Sequence, residues 1–331
     1  MSHAQPISSE WKGRLGLATR HAPEYYESSD AVIDTPHALA IRIALDELGL
    51  SAVFCVQGVP TIAILNLEQF DASRVVDLHG ALWNQGLASL FLVVAGDTLR
   101  AYSLARKPQK ESGQEFDQRC LVETLDATAH ALEIRNIVYG AESGRLWKEH
   151  GDYFRPKERI DQVLLDNLTE SHKLLSKSLS SDAAQALLIQ TMFIAYLEDR
   201  KIITPEYFLA ATRNAASNFS ALLESRDVRL LKLLFATLKD DFNGDLFVAP
   251  CSFESQSRAP TVQDGHLDVI ASFRTGREEM AKSGQFRFWG YNFRYIPIEL
   301  VSAVYDRFLG EKEEDRKAVI AYLKKETSAT P

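Results

Sequence analysis

The chain has 331 residues, which corresponds to about two domains of ordinary size. Hydrophobic residues make up 46% and charged residues 25% of the sequence, as is typical of a globular protein with buried cores. The net charge of −8 argues against a free-standing nucleic-acid-binding protein, although it leaves room for local basic patches.

Sorting signals and cysteine patterns are absent from the sequence. The longest apolar run, Ser89–Ala95, suits a buried strand and falls far short of the ~20 residues of a membrane-spanning helix. The N-terminus has no basic segment followed by an apolar one, so no secretory signal is predicted. Cys55, Cys120 and Cys251 are scattered and form neither a disulfide framework nor a zinc pattern. A reducing cytoplasm is the expected compartment.

The first third of the chain predicts a small α/β domain. Residues 1–28 are polar without a sustained period, and we expect a loose arm that contains about one helical turn. Thr35 and Pro36 then form a cap-and-proline signature for a helix that ends at Gly49.

Two hairpins are predicted next, separated by a helix. The strands are 52–56 with 61–65 and 89–95 with 99–103, and the helix covers 75–87. We expect these elements to form a domain over residues 29–140 around a mixed sheet that resembles a degenerate nuclease fold. An exposed loop is predicted at residues 107–118 and helical structure at residues 120–150.

From Pro156 the pattern is almost wholly helical, which predicts an α+β protein with a helical domain over 141–331. Ser181 with Asp182, and Thr204 with Pro205, are cap signatures. The predicted helices are 183–197, 205–211, 219–223, 228–238, 267–273 and 298–309.

Common catalytic motifs are missing from the sequence. It contains no glycine-rich phosphate loop, no nucleophile elbow and no His-Glu-x-x-His pattern. A metal-dependent nuclease would need carboxylates on neighbouring strands and a lysine two residues after a glutamate. Glu68 ends the second strand but has no such lysine, so a solvated surface glutamate is favoured. The nuclease alternative pairs Glu68 with Asp34 or Asp77.

Two histidines stand out by position. His79 lies on an apolar helix beside Trp83, where a core or interface histidine with satisfied hydrogen bonds is the commoner explanation. His266 lies between Asp264 and Asp268, which would suit a metal, but helix capping and solvation explain the two aspartates. We predict no metal site in this chain.

Four segments in order resemble the region that precedes the catalytic domain in adenine-specific DNA methyltransferases of bacterial restriction–modification and phage-defence systems. The resemblance covers residues 140–331. Three shorter segments nearer the N-terminus are similar to the N-terminal domains of such enzymes: residues 58–60, 82–86 and 90–94. The four segments are Glu142–Trp147 with Tyr153, Phe154 and Arg159–Leu168; Ala186–Ile203; Phe242–Phe247; and Phe288–Leu309.

The resemblance directs attention to a small set of DNA-binding or domain-docking candidates. Arg200 ends a helix, where pairing with a carboxylate is favoured over contact with a phosphate. The aromatic residues of the fourth segment alternate beside two arginines, so they could stack on bases, although core packing against a neighbouring domain is favoured. These candidates are Arg287, Trp289, Tyr291, Arg294 and Tyr295.

The resemblance also implies what this chain lacks. In the family a helix like 307–325 leads into the cofactor-binding domain, whereas this sequence ends at Glu326–Pro331 without the glycine motif or the Asn-Pro-Pro-Tyr motif. S-adenosylmethionine is therefore expected only in a catalytic domain outside this chain, and the partners expected are DNA and that domain. An exposed apolar patch around Phe286–Tyr305 would receive it. A divergent nuclease is the alternative function.

Overall fold

The computed structural model describes residues 5–108, 113–242, 247, 261–275 and 291–310. Contacts divide the chain into two compact units. The first contains the described residues up to Val163 together with Tyr295–Pro297, and the second contains those from Leu164 to Arg294 and from Ile298 onward. Among the described helices, none is long and apolar enough to cross a bilayer.

The first unit is built on one mixed sheet, whose strands follow chain order. Neighbouring strands are antiparallel except β3 and β4, which are parallel. Both predicted hairpins and the mixed sheet are confirmed. The described strands are β1 (Tyr25–Tyr26), β2 (Ala52–Val56), β3 (Val59–Leu67), β4 (Leu90–Ala95), β5 (Thr98–Ser103) and β6 (Leu121–Asp126).

The parallel pair requires a crossover connection, because two parallel strands cannot be joined by a tight turn. Helix α3 (Ala72–Gln85) supplies it. The Asp71 side chain accepts a hydrogen bond from the Arg74 backbone N–H at the start of α3, and Gly86 ends the helix with a φ of 66°. Asp71 is therefore an N-cap, and Gly86 supplies the left-handed conformation that a helix end favours.

Both faces of the sheet are covered, so the central strand is apolar throughout. On β4, Phe91 and Val93 pack in the cluster that contains α3, whereas Leu90, Leu92 and Val94 pack in the cluster on the other face. The second cluster also contains residues of α5 (Ala131–Ser143) and α6 (Arg145–Glu149). The first unit therefore extends to Val163, beyond the predicted limit of 140.

Three local predictions differ from the structure. The helix expected from Pro36 is α2 (Ala38–Arg42) followed by a π-helical turn (Ile43–Glu47), and Thr35 does not cap it. Within the stretch expected to be an exposed loop, α4 (Gly113–Cys120) buries Phe116. Strand β6 lies where helix was expected, because pairing with the free edge of β5 satisfies its backbone groups.

The N-terminal segment is ordered, in contrast to the expected loose arm. Helix α1 (Ser9–Leu15) begins at the N-cap Ser8 and ends at Gly16. Trp11 and Leu15 are buried against the second face of the sheet. The Trp11 indole N–H also donates to the Gly96 carbonyl oxygen over 3.1 Å. Burial of large apolar side chains on the sheet explains why a polar-looking segment folds.

The second unit is helical over its described residues, and the α+β class is confirmed. Ser180, one residue before the expected cap, accepts from the Ala183 N–H, and Thr204 caps the next helix as predicted. The expected break at 243–244 lies outside the described residues. The helices are α7 (Ile160–Leu175), α8 (Ser181–Asp199), α9 (Pro205–Ala211), α10 (Phe219–Glu224), α11 (Val228–Phe242), α12 (Asp264–Thr275) and α13 (Ile298–Gly310).

Replacing Trp11 tests whether α1 is an integral part of the first unit. We expect Trp11→Ala to lower the free energy of unfolding by about 3–5 kcal/mol, the usual cost of truncating a buried tryptophan. Chemical denaturation followed by circular dichroism measures this. The control Glu10→Ala removes only an exposed ion pair with Arg14 on the same helix, so its cost should stay below about 1 kcal/mol. A wild-type-like stability of Trp11→Ala would restore the loose-arm interpretation.

Candidate functional site

A cleft of about 270 Å³ lies at the edge of the sheet where β3 and β4 end side by side. Leu67 and Ala95, the last residues of the two strands, are register partners. Open sheets with parallel strands commonly bind ligands outside the carboxyl ends of those strands. The cleft is therefore the first candidate for a functional site in this unit.

Short side chains leave the space that forms the cleft. Val93 lies opposite Arg100 across the β4–β5 pair, and Ala95 lies opposite Thr98. All four residues line the cleft, together with Phe70, which precedes the cap of α3. The pleat of the sheet thus directs two polar side chains of β5 toward the same opening.

The cation of Arg100 is stacked on an aromatic ring. Its guanidinium carbon lies 3.7 Å from the centroid of Phe70, which is a cation–π contact. Two residues further along β5, the Tyr102 hydroxyl donates to Asp117 over 3.1 Å. Within the described part of the chain, Arg100 has no carboxylate at ion-pair distance. The stack on Phe70 therefore orients a guanidinium that has no direct carboxylate partner among the described residues.

Glu68 brings the opposite charge to the same cleft. It directly follows β3, is exposed and is the single acidic residue among the described residues that line the cleft. Glu68 and Arg100 form no ion pair with each other, and the carboxylate has no hydrogen-bond partner among the described residues. The cleft therefore offers a ligand both a hydrogen-bond acceptor and a set of donors.

The partners proposed for a nuclease do not join Glu68 in this cleft. Asp34 lies in the loop before α2, and Asp77 is exposed on α3; neither lines the cleft. Over the described ranges, no group of three His, Cys, Asp or Glu side chains is placed to hold a metal ion.

The segment after β3 does not fit an S-adenosylmethionine site of the glycine-loop type. Such a site needs a glycine-rich loop after the strand, so that the backbone can approach the cofactor closely. Here Glu68, Gln69 and Phe70 follow β3, and the chain has no glycine between Gly58 and Gly80. This segment therefore lacks the close backbone approach that such a cofactor uses.

His79 is a buried residue of the first core. Its Nε2–H donates to the Ser103 carbonyl oxygen over 2.8 Å, and its ring meets Phe116 edge-on. The Nδ1 atom is buried and has no hydrogen-bond partner among the described residues. Burial lowers the pKa of His79 to about 4, although the Ser103 contact raises it slightly. The histidine is therefore neutral at pH 7 and serves packing.

His266 likewise has a structural role. It accepts from the Gln263 N–H at the start of α12 and contacts the Ser178 hydroxyl over 2.7 Å. Burial lowers its pKa. Asp264 and Asp268 instead contact the Val228 N–H and Arg226, so the three residues do not converge on a shared ion.

A nearly buried ionic hub organises the second unit. The Arg274 guanidinium lies 2.5 Å from Asp199 and 3.4 Å from Glu198 at the end of α8. The second oxygen of Asp199 accepts from the Phe293 N–H, and Glu198 accepts from the Phe219 N–H. Burial raises the pKa of both carboxyl groups, against the opposing effect of Arg274 and the backbone donors.

Arg274, which the sequence did not single out, forms the ion pairs with the two carboxylates at the end of α8. Arg200 lies with its guanidinium 4.6 Å from the Tyr196 ring centroid. Arg274 lies 75 residues from Asp199 along the chain, so no local pattern indicates their contact.

The aromatic candidates differ in exposure. Tyr291 is buried, and its hydroxyl is hydrogen-bonded to Asn167, so it cannot stack on a base without unpacking. Tyr295 is half-buried and packs against the first unit's core, while Arg294 is exposed. Arg287 and Trp289 lie outside the described residues.

The cleft residues that sequence reasoning missed are Arg100 and Phe70. Arg100 alternates with Tyr102 on one face of a predicted strand, and Phe70 directly precedes a helix cap. Those signals place each residue on its element, but they do not bring the two together. Comparisons with known protein families, curated proteins and solved structures find no match to this chain.

The buried His79 predicts a loss of stability in acid. Its pKa is about 4 in the folded protein and 6.5 in the unfolded chain, so the unfolded chain binds the extra proton between these values. The histidine should therefore cost about 3 kcal/mol of stability as the pH falls from 6.5 to 4. Denaturation curves of wild type and His79→Gln across this range should diverge by that amount. His21→Gln, at an exposed histidine, should follow wild type; parallel curves for His79→Gln would contradict the assignment.

The ionic hub predicts a large cost for removing its cation. Arg274→Met should lower the free energy of unfolding by about 3–5 kcal/mol at pH 7, because two carboxylates would remain without their partner. This loss of stability should become smaller as the pH falls. Because the pKa values of Glu198 and Asp199 are raised in the folded protein, these carboxylates are protonated there at a higher pH than in the unfolded chain. Asp268→Asn breaks the exposed pair with Arg226 and should cost below about 1 kcal/mol. Equal, small costs for both variants would argue against the hub.

Proposed function

We propose that this chain is a non-catalytic module of a restriction–modification type DNA adenine methyltransferase, in which it positions DNA, a partner catalytic domain, or both. The resemblance over residues 140–331 supports the family. The observation that carries the proposal is the cleft at the ends of β3 and β4. It presents the Arg100 cation on the Phe70 ring together with one carboxylate, Glu68, and these groups suit the binding of a ligand. The described residues that line the cleft do not include the grouped carboxylates that metal-dependent hydrolysis uses.

A second observation supports docking of a partner domain. Ile298 opens α13 with 44% of its surface exposed, and Leu300 and Tyr305 on the same helix are half-buried. They fall within the segment expected to receive the catalytic domain, whose residues 286–290 lie outside the described part. These residues offer a partner domain apolar side chains to cover.

The cytoplasm is the proposed compartment, as DNA modification in bacteria requires. Cys55 and Cys120 are free thiols buried in the first core. Burial raises the pKa of both to about 12, so neither is a reactive thiolate at neutral pH. Unpaired buried cysteines are compatible with a reducing environment.

The proposal predicts DNA binding without chemistry. The purified chain should bind a fluorescein-labelled duplex of about 30 base pairs with micromolar or weaker affinity that falls steeply as salt rises, because phosphate contacts release counterions. Fluorescence anisotropy at low and physiological salt measures this. The same preparation should transfer no methyl group from S-adenosylmethionine to adenine.

Two results would overturn the proposal. One is methylation of adenine by the chain alone. The other is magnesium- or manganese-dependent cleavage of plasmid DNA that Glu68→Ala abolishes, since this would establish the nuclease alternative. Glu133→Ala, at an exposed acidic residue on α5, is the matched control for the cleavage assay.

A further inference from the structure

We propose that the cleft at the ends of β3 and β4 binds one unstacked nucleobase of DNA, stacked on the guanidinium of Arg100 and hydrogen-bonded through Glu68. This inference rests on the proposed function, since it names what part of the DNA the cleft would take. Three features of the cleft carry it: its size, its flat cationic platform and its two unlike charges.

The size of the cleft suits one base. Its volume of about 270 Å³ is close to the lower end of the range for small-molecule sites, which begins at about 300 Å³. Val93, Ala95 and Gly96 contribute short side chains or none, so a planar group can approach the sheet. Two stacked bases would need a longer opening.

Arg100 supplies a preformed platform. Phe70 covers one face of the planar guanidinium, whose carbon lies 3.7 Å from the centroid of the Phe70 ring. Unstacked bases commonly stack on aromatic rings and on arginine planes, and a cation strengthens such a stack. Because the platform is fixed by its neighbours, little side-chain freedom is lost when a base binds.

The two charges indicate which ligand fits. A bare phosphate would be attracted by Arg100 but repelled by Glu68, which lines the same cleft. A neutral base with both donors and acceptors avoids that conflict. Its exocyclic amino group can donate to Glu68, while its ring nitrogen or carbonyl oxygen accepts from the Thr98 hydroxyl. Adenine, cytosine and guanine carry such an amino group and thymine does not, so thymine should bind least well.

The test uses the full chain and a strand that isolates a single base. A fluorescein-labelled strand of about eight tetrahydrofuran abasic positions carries one central cytosine, and matched strands carry thymine or no base. In fluorescence anisotropy, the cytosine strand should bind about tenfold more tightly than the fully abasic strand, with the thymine strand between them.

Variants assign the effect to the cleft. Arg100→Gln should abolish the cytosine advantage, by which we mean the tighter binding of the cytosine strand than of the fully abasic strand. Arg100→Lys should abolish it as well, because an ammonium group keeps the charge but has no planar face. Glu68→Gln should reduce the difference in affinity between the cytosine strand and the thymine strand. Arg135→Gln on α5 and Asp77→Asn on α3 change exposed charges elsewhere in the first unit and should behave as wild type. Thermal melting of each variant checks that it is folded.

The outcomes separate this inference from the proposed function. Duplex binding that depends on salt, together with equal binding of the cytosine and fully abasic strands, would overturn the inference alone. Preferential binding of the cytosine strand without duplex binding would support base binding in the cleft and would contradict the proposal that the chain positions duplex DNA. A chain that binds none of these DNAs would overturn both. If folded Arg100→Gln still prefers the cytosine strand as strongly as wild type, the base binds outside this cleft and the inference is wrong.

Discussion

The parallel pairing of β3 and β4 constrains the first unit more than any other contact. Because parallel strands cannot be joined by a turn, α3 must cross the sheet between them. The crossover covers one face of the sheet and brings the carboxyl ends of both strands to one edge. The cleft lies at that edge, where Phe70 leads into α3 and Arg100 extends from the neighbouring β5. Fold and candidate site thus share one cause.

The second unit depends on a different interaction, the nearly buried hub of Arg274 with Glu198 and Asp199. Two carboxylates facing one guanidinium are costly to bury, and backbone N–H groups of Phe219 and Phe293 supply the remaining hydrogen bonds. The hub ties the ends of α8 and α12 to the start of α10 and to the segment before α13. Such a network fixes the arrangement of helices whose apolar surfaces alone would specify it less uniquely.

These two features favour a protein that holds and positions other molecules. The first unit presents a small cleft with an oriented cation, and the second is a helical framework with apolar surface at Ile298. His79 and the two buried thiols, whose pKa values shift strongly, lie within the first core. They contribute to packing, whereas the charges of the cleft remain available to a ligand.

The sequence by itself determined the α+β class, both hairpins and most helices of the second unit, because hydrophobic period and caps such as Thr204 are local signals. It also placed Glu68 at a strand end. Only the tertiary structure decided that α1 packs on the sheet, that β6 is a strand, and that Arg100 meets Phe70 and Arg274 meets Asp199. Each of these features depends on partners that are distant along the chain, and local periodicity carries no information about which distant groups meet.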